Sequence, residues 1–198
     1  MDKGVKAGAS ETLRAADLEL MARVARKDPV AQRLLVERVG GRVFNVSRLL
    51  CGASADAEDA AQLSLIEILK SAETFRVAEN LEAWTDRITV RTTLRARRRE
   101  RARRSLLSRW LSPGFFPWGT PSSTPARDAG GVERFLDQLD PERRRAFVLH
   151  HALDYTVDEI AEATGAPVGT VKDRLVMARR TLRRFIERDA RRAGWRRP

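Results

Sequence analysis

Residues 156–175 constrain this chain more tightly than any other stretch. Thr156 opens T-V-D-E-I-A-E, with Glu159 three residues on, which is the spacing of a capping box at a helix start. Thr164-Gly165-Ala166 follows as a tight turn in which Gly165 can take a positive φ. Pro167 then begins a second helix, V-G-T-V-K-D-R-L-V-M-A-R-R. Ala161 is small enough to let the two helices approach. Val171 and Leu175, four apart, are expected to anchor the second helix to a core. That turns Val168, Gly169, Thr170, Lys172, Asp173 and Arg174 towards the outer face. Two helices joined by a short turn containing Gly make a helix-turn-helix, whose second helix enters the DNA major groove. Lys172 and Arg174 can donate to guanine or phosphate, and Asp173 can accept from cytosine N4.

The charge distribution agrees. Of 198 residues, 38 are Lys or Arg and 27 Asp or Glu, for a net charge of +11. The excess sits in two blocks. Arg91–Arg104 holds eight arginines against Glu100, net +7, and Arg174–Pro198 holds ten against two acids, net +8. The remainder is net −4. A GC-rich genome would explain arginine in place of lysine, but not two blocks on an otherwise acidic chain. Two basic blocks point to a polyanion held at two places. Arg179 and Arg183, downstream in the second helix, suit the phosphate backbone, which supplies affinity without sequence information.

The rest of the chain reads as helix. Residues 1–16 are expected to form a loose tail. Leu18, Met21, Val24 and Ala25 begin a helical stripe, and Asp28-Pro29 is a cap followed by proline at the first helical position. Ala31, Leu34 and Leu35 continue, Gly40-Gly41 predicts a break or bend, and Gly52 ends the helix. Ser54 or Asp56 is expected to cap the next helix, whose apolar face is Ala57, Ala61, Leu65, Ile68 and Leu69. Residues 74–79 read as a loop, and Asn80 caps a helix carrying Leu81, Trp84 and Ile88 that runs into the first arginine block. Residues 105–131, with four prolines, four glycines and the aromatics Trp110, Phe115, Phe116 and Trp118, read as a flexible linker. Helix resumes at Val132, and Asp140-Pro141 is another cap-plus-proline start. No strand-like alternation of useful length appears. The expectation is an all-α chain: residues 17–104 as one helical domain, 132–190 as a second, and a basic tail at 191–198.

Several chemistries are excluded. One cysteine, Cys51, permits no internal disulfide framework and no thiolate-rich zinc site. The only histidines, His150 and His151, are neighbours, about 100° apart on a helix and a poor metal pair. No P-loop or carboxylate cluster is present, so neither a cofactor nor catalysis is expected. No apolar run approaches the ~18 residues of a membrane span, and the N-terminus lacks a signal-peptide core, so a cytoplasmic protein without membrane insertion is expected. In the 55–70 helix, Asp56, Asp59 and Gln62 share a face, with Leu63 and Ile66 beside them. That pattern fits a solvated face with acids favouring the helix N-terminus, or a docking face with a small apolar centre.

The stretches L-D-P-E-R-R-R-A-F-V-L-H and T-V-D-E-I-A-E-A-T-G-A-P-V-G-T-V-K-D-R-L-V-M-A-R-R-T-L resemble the fourth conserved region of bacterial RNA polymerase sigma factors. D-A-E-D-A-A-Q, followed by A-W-T-D-R-I and the arginine run, resembles the second conserved region. Two regions with a short connection resemble the extracytoplasmic-function (ECF) group. The resemblance implies a protein that binds core polymerase through the clamp coiled-coil and flap, and reads the promoter −10 and −35 elements in double-stranded and melted DNA. An anti-sigma factor is a further implied partner. The residues matching core binding are Asp56, Asp59, Gln62, Leu63 and Ile66. Those matching the −10 element are Phe75, Arg76, Asn80, Thr89, Arg91, Thr92, Arg95 and Arg98, with Phe75 either stacking a flipped base or sitting in the core. Those matching the −35 element are Val168, Gly169, Thr170, Lys172, Asp173, Arg174, Arg179 and Arg183. The chain departs from the family pattern at Leu63, Ser64, Leu65, Leu69, Arg91, Arg95 and Met177. The competing reading is a stand-alone helix-turn-helix regulator that binds operator DNA.

Overall fold

A computed structural model describes residues 3–52, 55–76, 80–110 and 132–192. Among the described residues every regular element is helical: α1 (Lys3–Ala25), α2 (Pro29–Cys51), α3 (Ala55–Lys70), a 3₁₀ turn (Ala72–Thr74), α4 (Leu81–Trp110), α5 (Val132–Leu136), α6 (Pro141–His151), α7 (Val157–Thr164) and α8 (Val168–Arg192). The chain divides into two compact units, Met1–Ser47 with Glu58–Thr93, and Arg48–Ala57 with Leu94–Pro198.

The helix starts follow local chemistry. The Asp28 carboxylate accepts from the Val30 and Ala31 amides at 2.9 and 3.3 Å, and Asn80 Oδ1 from those of Glu82 and Ala83 at 2.8 and 3.2 Å. Asp140 accepts from Glu142 and Arg143 at 3.1 and 3.0 Å ahead of Pro141. Such caps satisfy amides that the helix itself cannot. Ser54 lies outside the described residues, and Asp56 sits within α3 rather than ahead of it.

Three helix boundaries differ from expectation. Residues 3–16 are helical, not a loose tail. They contain no proline, and Lys6, Ala7, Ala9, Glu11, Leu13, Arg14, Ala15 and Ala16 are good helix formers. Helix α2 runs unbroken through Gly40-Gly41. Each mid-helix glycine costs about 1 kcal/mol, but Leu35, Val39, Val43, Val46 and Leu50 stay buried on both sides of the pair, and full burial of one such side chain contributes about 1.5–3 kcal/mol. Helix α4 extends to Trp110, past the expected boundary at Ser105. The segment S-L-L-S-R-W lacks proline and glycine, which begin only at Pro113.

In the first unit, Met21, Val24, Leu35, Val43, Ile68, Leu81, Trp84 and Ile88 form one core cluster. Phe75 joins it, with its ring edge-on to Trp84 at 5.5 Å between centroids. Arg42 makes a two-pronged pair with the buried Asp86, at 2.8 and 2.7 Å. In the second unit, Leu149, Ile160, Val171, Leu175 and Ala178 are buried where α6, α7 and α8 meet. Gly165 ends α7 at φ +69°, and its amide donates to Ala161 O at 2.8 Å. That left-handed geometry favours glycine.

The α7 start carries the full capping box: the Glu159 amide donates to Thr156 Oγ1 at 3.3 Å, and the Thr156 amide donates to Glu159 Oε2 at 2.8 Å. Thr156→Ala should therefore lower unfolding free energy by about 1 kcal/mol, read as a shift in urea midpoint at constant slope.

Candidate nucleic-acid and protein-docking surfaces

Helix α3 buries one face and exposes the other. Ala57, Ala60, Ala61, Ser64 and Ile68 point inward. Asp59, Gln62, Leu63 and Ile66 are exposed, the last two each at 47%. Two large apolar side chains half open to water, flanked by Asp59 and Gln62, make a small apolar centre with a polar rim, which is the anatomy of a protein interface. Asp56, expected to belong with them, is half-buried and paired with Arg97.

The side chains expected on the −10 surface separate into two groups. Arg76, Arg91, Arg95 and Arg98 are exposed and Thr92 is half-buried. Arg91, Arg95 and Arg98 follow one another on α4 at four- and three-residue spacing, so they form one basic stripe. Thr89 and Phe75 do not join it. Thr89 is fully buried and donates to Thr85 O at 2.8 Å, so it is a packing residue and not a nucleic-acid contact. Phe75 is 9% exposed and held against Trp84, so of its two expected alternatives the core is the one realised. The Asn80 side-chain oxygen is committed to capping α4.

On α8, Val171, Leu175, Ala178 and Leu182 are buried. Val168, Gly169, Thr170, Lys172, Asp173, Arg179 and Arg183 are exposed, as expected. Arg174 departs from that pattern: its side chain is 24% exposed and pairs with Glu142 at 3.3 Å. It lies on the flank of α8, not at the centre of its open face. That centre holds a residue absent from the expected set. Val176 is 57% exposed, seven residues after Gly169 and four after Lys172, between Asp173 and Arg180. The signal was present in the spacing, but valine in a helix reads first as core. On an open recognition face, an apolar side chain suits the thymine methyl group.

Glu142 is an electrostatic hub. It pairs with Arg101, with Arg145 at 2.5 Å, and with Arg174. Burial would raise its carboxyl, but the Arg101 hydrogen bond and the charges of Arg145, Arg101 and Arg174 more than offset this and hold it below the ordinary range. The Glu159 carboxyl is also lowered, by the Thr156 amide and hydroxyl. A carboxylate whose folded pKa is depressed contributes stability that is fully present above its unfolded value, about 4.3, and is lost as pH falls through the folded value. Glu159→Gln should accordingly destabilise at pH 7, and its difference from wild type should shrink progressively as pH falls below about 4.3, by urea unfolding across that range.

His150 and His151 make ring contacts with each other, and His150 Nδ1 lies 2.9 Å from Tyr155 O. No group of three or more metal-ligating side chains occurs among the described residues. Among the same residues, no helix is long and apolar enough to cross a membrane.

Comparison with known proteins fits these surfaces to a family. Residues 35–103 match the model of sigma-70 region 2 and residues 130–182 that of sigma-70 region 4. The ECF RNA polymerase sigma factor SigM of Mycobacterium tuberculosis is 29% identical over 172 residues, covering 86% of this chain and 84% of that protein. The RNA polymerase sigma factor SigV of Bacillus subtilis is 30% identical over 128 residues, covering 65% of this chain and 74% of that protein. The fold is like that of the sigma factor RpoE of Bartonella quintana, solved in complex with the anti-sigma factor NepR, at a TM-score of 0.51 and 23% identity over 78% of this chain and 96% of that one. The two surfaces thus sit on the two sigma-70 regions, one carrying the α3 face and the α4 stripe, the other the helix-turn-helix. The chain belongs to the ECF group of RNA polymerase sigma factors, and it directs transcription initiation by binding core polymerase and promoter DNA.

Proposed function

We propose that the exposed face of α3 docks on the clamp coiled-coil of core polymerase, that the α4 stripe lies along the −10 strand, and that the open face of α8 reads the −35 element. The observation that carries this is the pairing of a half-exposed apolar centre, Leu63 and Ile66, with two separate basic faces on α4 and α8. On α3, Asp59 and Gln62 rim the centre and orient the partner helix. On α4, Arg91, Arg95 and Arg98 neutralise phosphates, with Arg76 and Thr92 beside them. On α8, Lys172, Asp173 and Val176 read base edges, Val168, Gly169 and Thr170 approach the groove wall, and Arg179 and Arg183 anchor the backbone. The chain contributes specificity, not catalysis, and works in the cytoplasm beside the polymerase. An anti-sigma factor is the regulatory partner expected of it, on the precedent of RpoE bound to NepR.

Run-off transcription with purified core polymerase on a genomic library tests the reading and identifies the promoter. On that promoter, Lys172→Ala should lose discrimination at one −35 position by about 1–3 kcal/mol, and Val176→Ala should lose preference for thymine at another. Arg183→Ala should weaken all promoters alike and flatten the salt dependence. Equal losses on matched and mismatched −35 sites for all three variants would reject the assignment of α8.

A further inference from the structure

Glu142 stands in the first turn of α6 and meets α8 through one oxygen. Its backbone is fixed by the cap, because its amide donates to Asp140 Oδ1 at 3.1 Å. Its Oε1 is fixed as well, accepting at 2.5 Å from Arg145, whose side chain is only 6% exposed. Arg101 of α4 pairs with the same oxygen. Oε2 is left for Arg174, whose guanidinium lies 3.3 Å away. The carboxylate that holds Arg174 is therefore itself held, and its grip does not depend on Arg101, which uses the other oxygen. Moving it would strand the buried Arg145 without its counter-charge, which is costly.

The place of Arg174 on α8 shows what that grip prevents. By helical period, Arg174 sits at one margin of the open face, one turn after the exposed Thr170 and one turn before the buried Ala178. Arg179 and Arg183 sit at the opposite margin. The major groove is about 12 Å wide, close to the diameter of a helix with its side chains. A recognition helix therefore meets base edges with the middle of its open face and the phosphate walls with its margins. An arginine at a margin is in place for a phosphate, a contact that adds affinity without reading sequence. A guanidinium shared with Glu142 can make that contact only by leaving the carboxylate.

We infer that Glu142 is a positioning residue of the −35 surface: it ties Arg174 back to α6 and keeps it off the phosphate wall, so that α8 grips phosphate from the margin of Arg179 and Arg183 alone. This rests on the reading of α8 as the −35 helix and deepens it. Arg174 is then a silent cation, counted in the basic block yet absent from the salt dependence of promoter binding. Freed, it adds one phosphate contact. One contact steepens the slope of log K against log salt by about 0.9, which is about 3.5-fold more affinity lost between about 50 and 200 mM salt.

The test titrates reconstituted holoenzyme on promoter and scrambled duplexes across that salt range, with the wild-type chain, Glu142→Gln, Arg174→Met and the double variant, each checked for folding by urea unfolding. Arg174→Met should keep the wild-type slope. Glu142→Gln should bind both duplexes more tightly at low salt and lose about 3.5-fold more affinity than wild type over the range. The double variant should return to the wild-type slope, because the gain needs Arg174. A flatter slope in Arg174→Met means that Arg174 already lies on a phosphate, and overturns the inference. A wild-type slope in folded Glu142→Gln overturns it too, since a merely structural Glu142 would lower the urea midpoint and leave the slope alone. If Glu142→Gln does not fold, Glu142→Asp, which keeps the charge and draws the carboxylate back by one methylene, replaces it with the same expected and overturning slopes. Equal binding of promoter and scrambled duplexes by wild-type holoenzyme would instead reject the reading of α8, so the two can fail separately.

Discussion

Asp59→Arg combined with Ile66→Asp should reduce affinity for core polymerase by about 100-fold, roughly 3 kcal/mol. Both residues are exposed on α3, so neither change opens a cavity or strands a buried group. Ile66 supplies half of the apolar centre, and an aspartate there puts a charge where the partner must be desolvated. Reversing Asp59 turns attraction between its carboxylate and a complementary partner charge into repulsion, which slows association as well as weakening the complex. Circular dichroism should show unchanged helix content, and a pull-down with core enzyme reads the loss. Full binding by a folded double variant would move the docking face off α3.

Trp84→Ala should lower the unfolding free energy by about 3–5 kcal/mol, the range for deleting a buried aromatic side chain. Trp84 is 4% exposed, stands edge-on against Phe75 and belongs to the same cluster as Leu81 and Ile88. The change removes apolar burial, opens a cavity and ends an aromatic pair worth about 0.5–1.5 kcal/mol beyond its area. That is a large fraction of the stability of a domain this size. Because Asn80, Arg91 and Arg95 are all set by the same helix, promoter binding should fail together with folding. The check is urea denaturation followed by tryptophan-independent far-ultraviolet dichroism. A loss below 1 kcal/mol would mean that the α4 core is not packed as described.

What could be read from the sequence was mainly local. The caps at Asp28, Asn80, Asp140 and Thr156, and the turn at Gly165, depend on a few adjacent residues, and each stands where the residue types placed it. Alternation of exposed and buried positions on α3 and α8 was likewise legible, because helical period fixes it. The misplaced residues depend on their tertiary surroundings. Thr89 looks like a surface hydroxyl beside an arginine block, yet it is fully buried and spends that hydroxyl on the Thr85 carbonyl one turn back. Arg174 looks like a base reader until Glu142, far away in sequence, takes its guanidinium. Val176 shows the opposite case: an apolar side chain that lies on the open face. The continuity of α2 through Gly40-Gly41 was invisible because propensity alone argues for a break, while burial on both sides of the pair overrides it.

A gel-shift titration at fixed salt, on promoter and scrambled duplexes, with and without core polymerase, tests the central claim most directly. The free protein should bind both duplexes alike, with a salt-sensitive Kd on the order of 10⁻⁴–10⁻⁶ M set by its arginine blocks. Adding core polymerase should produce tight binding to the promoter alone. Nanomolar, sequence-specific binding by the chain without polymerase would contradict this, and would return the protein to a regulator that reads operator DNA unaided.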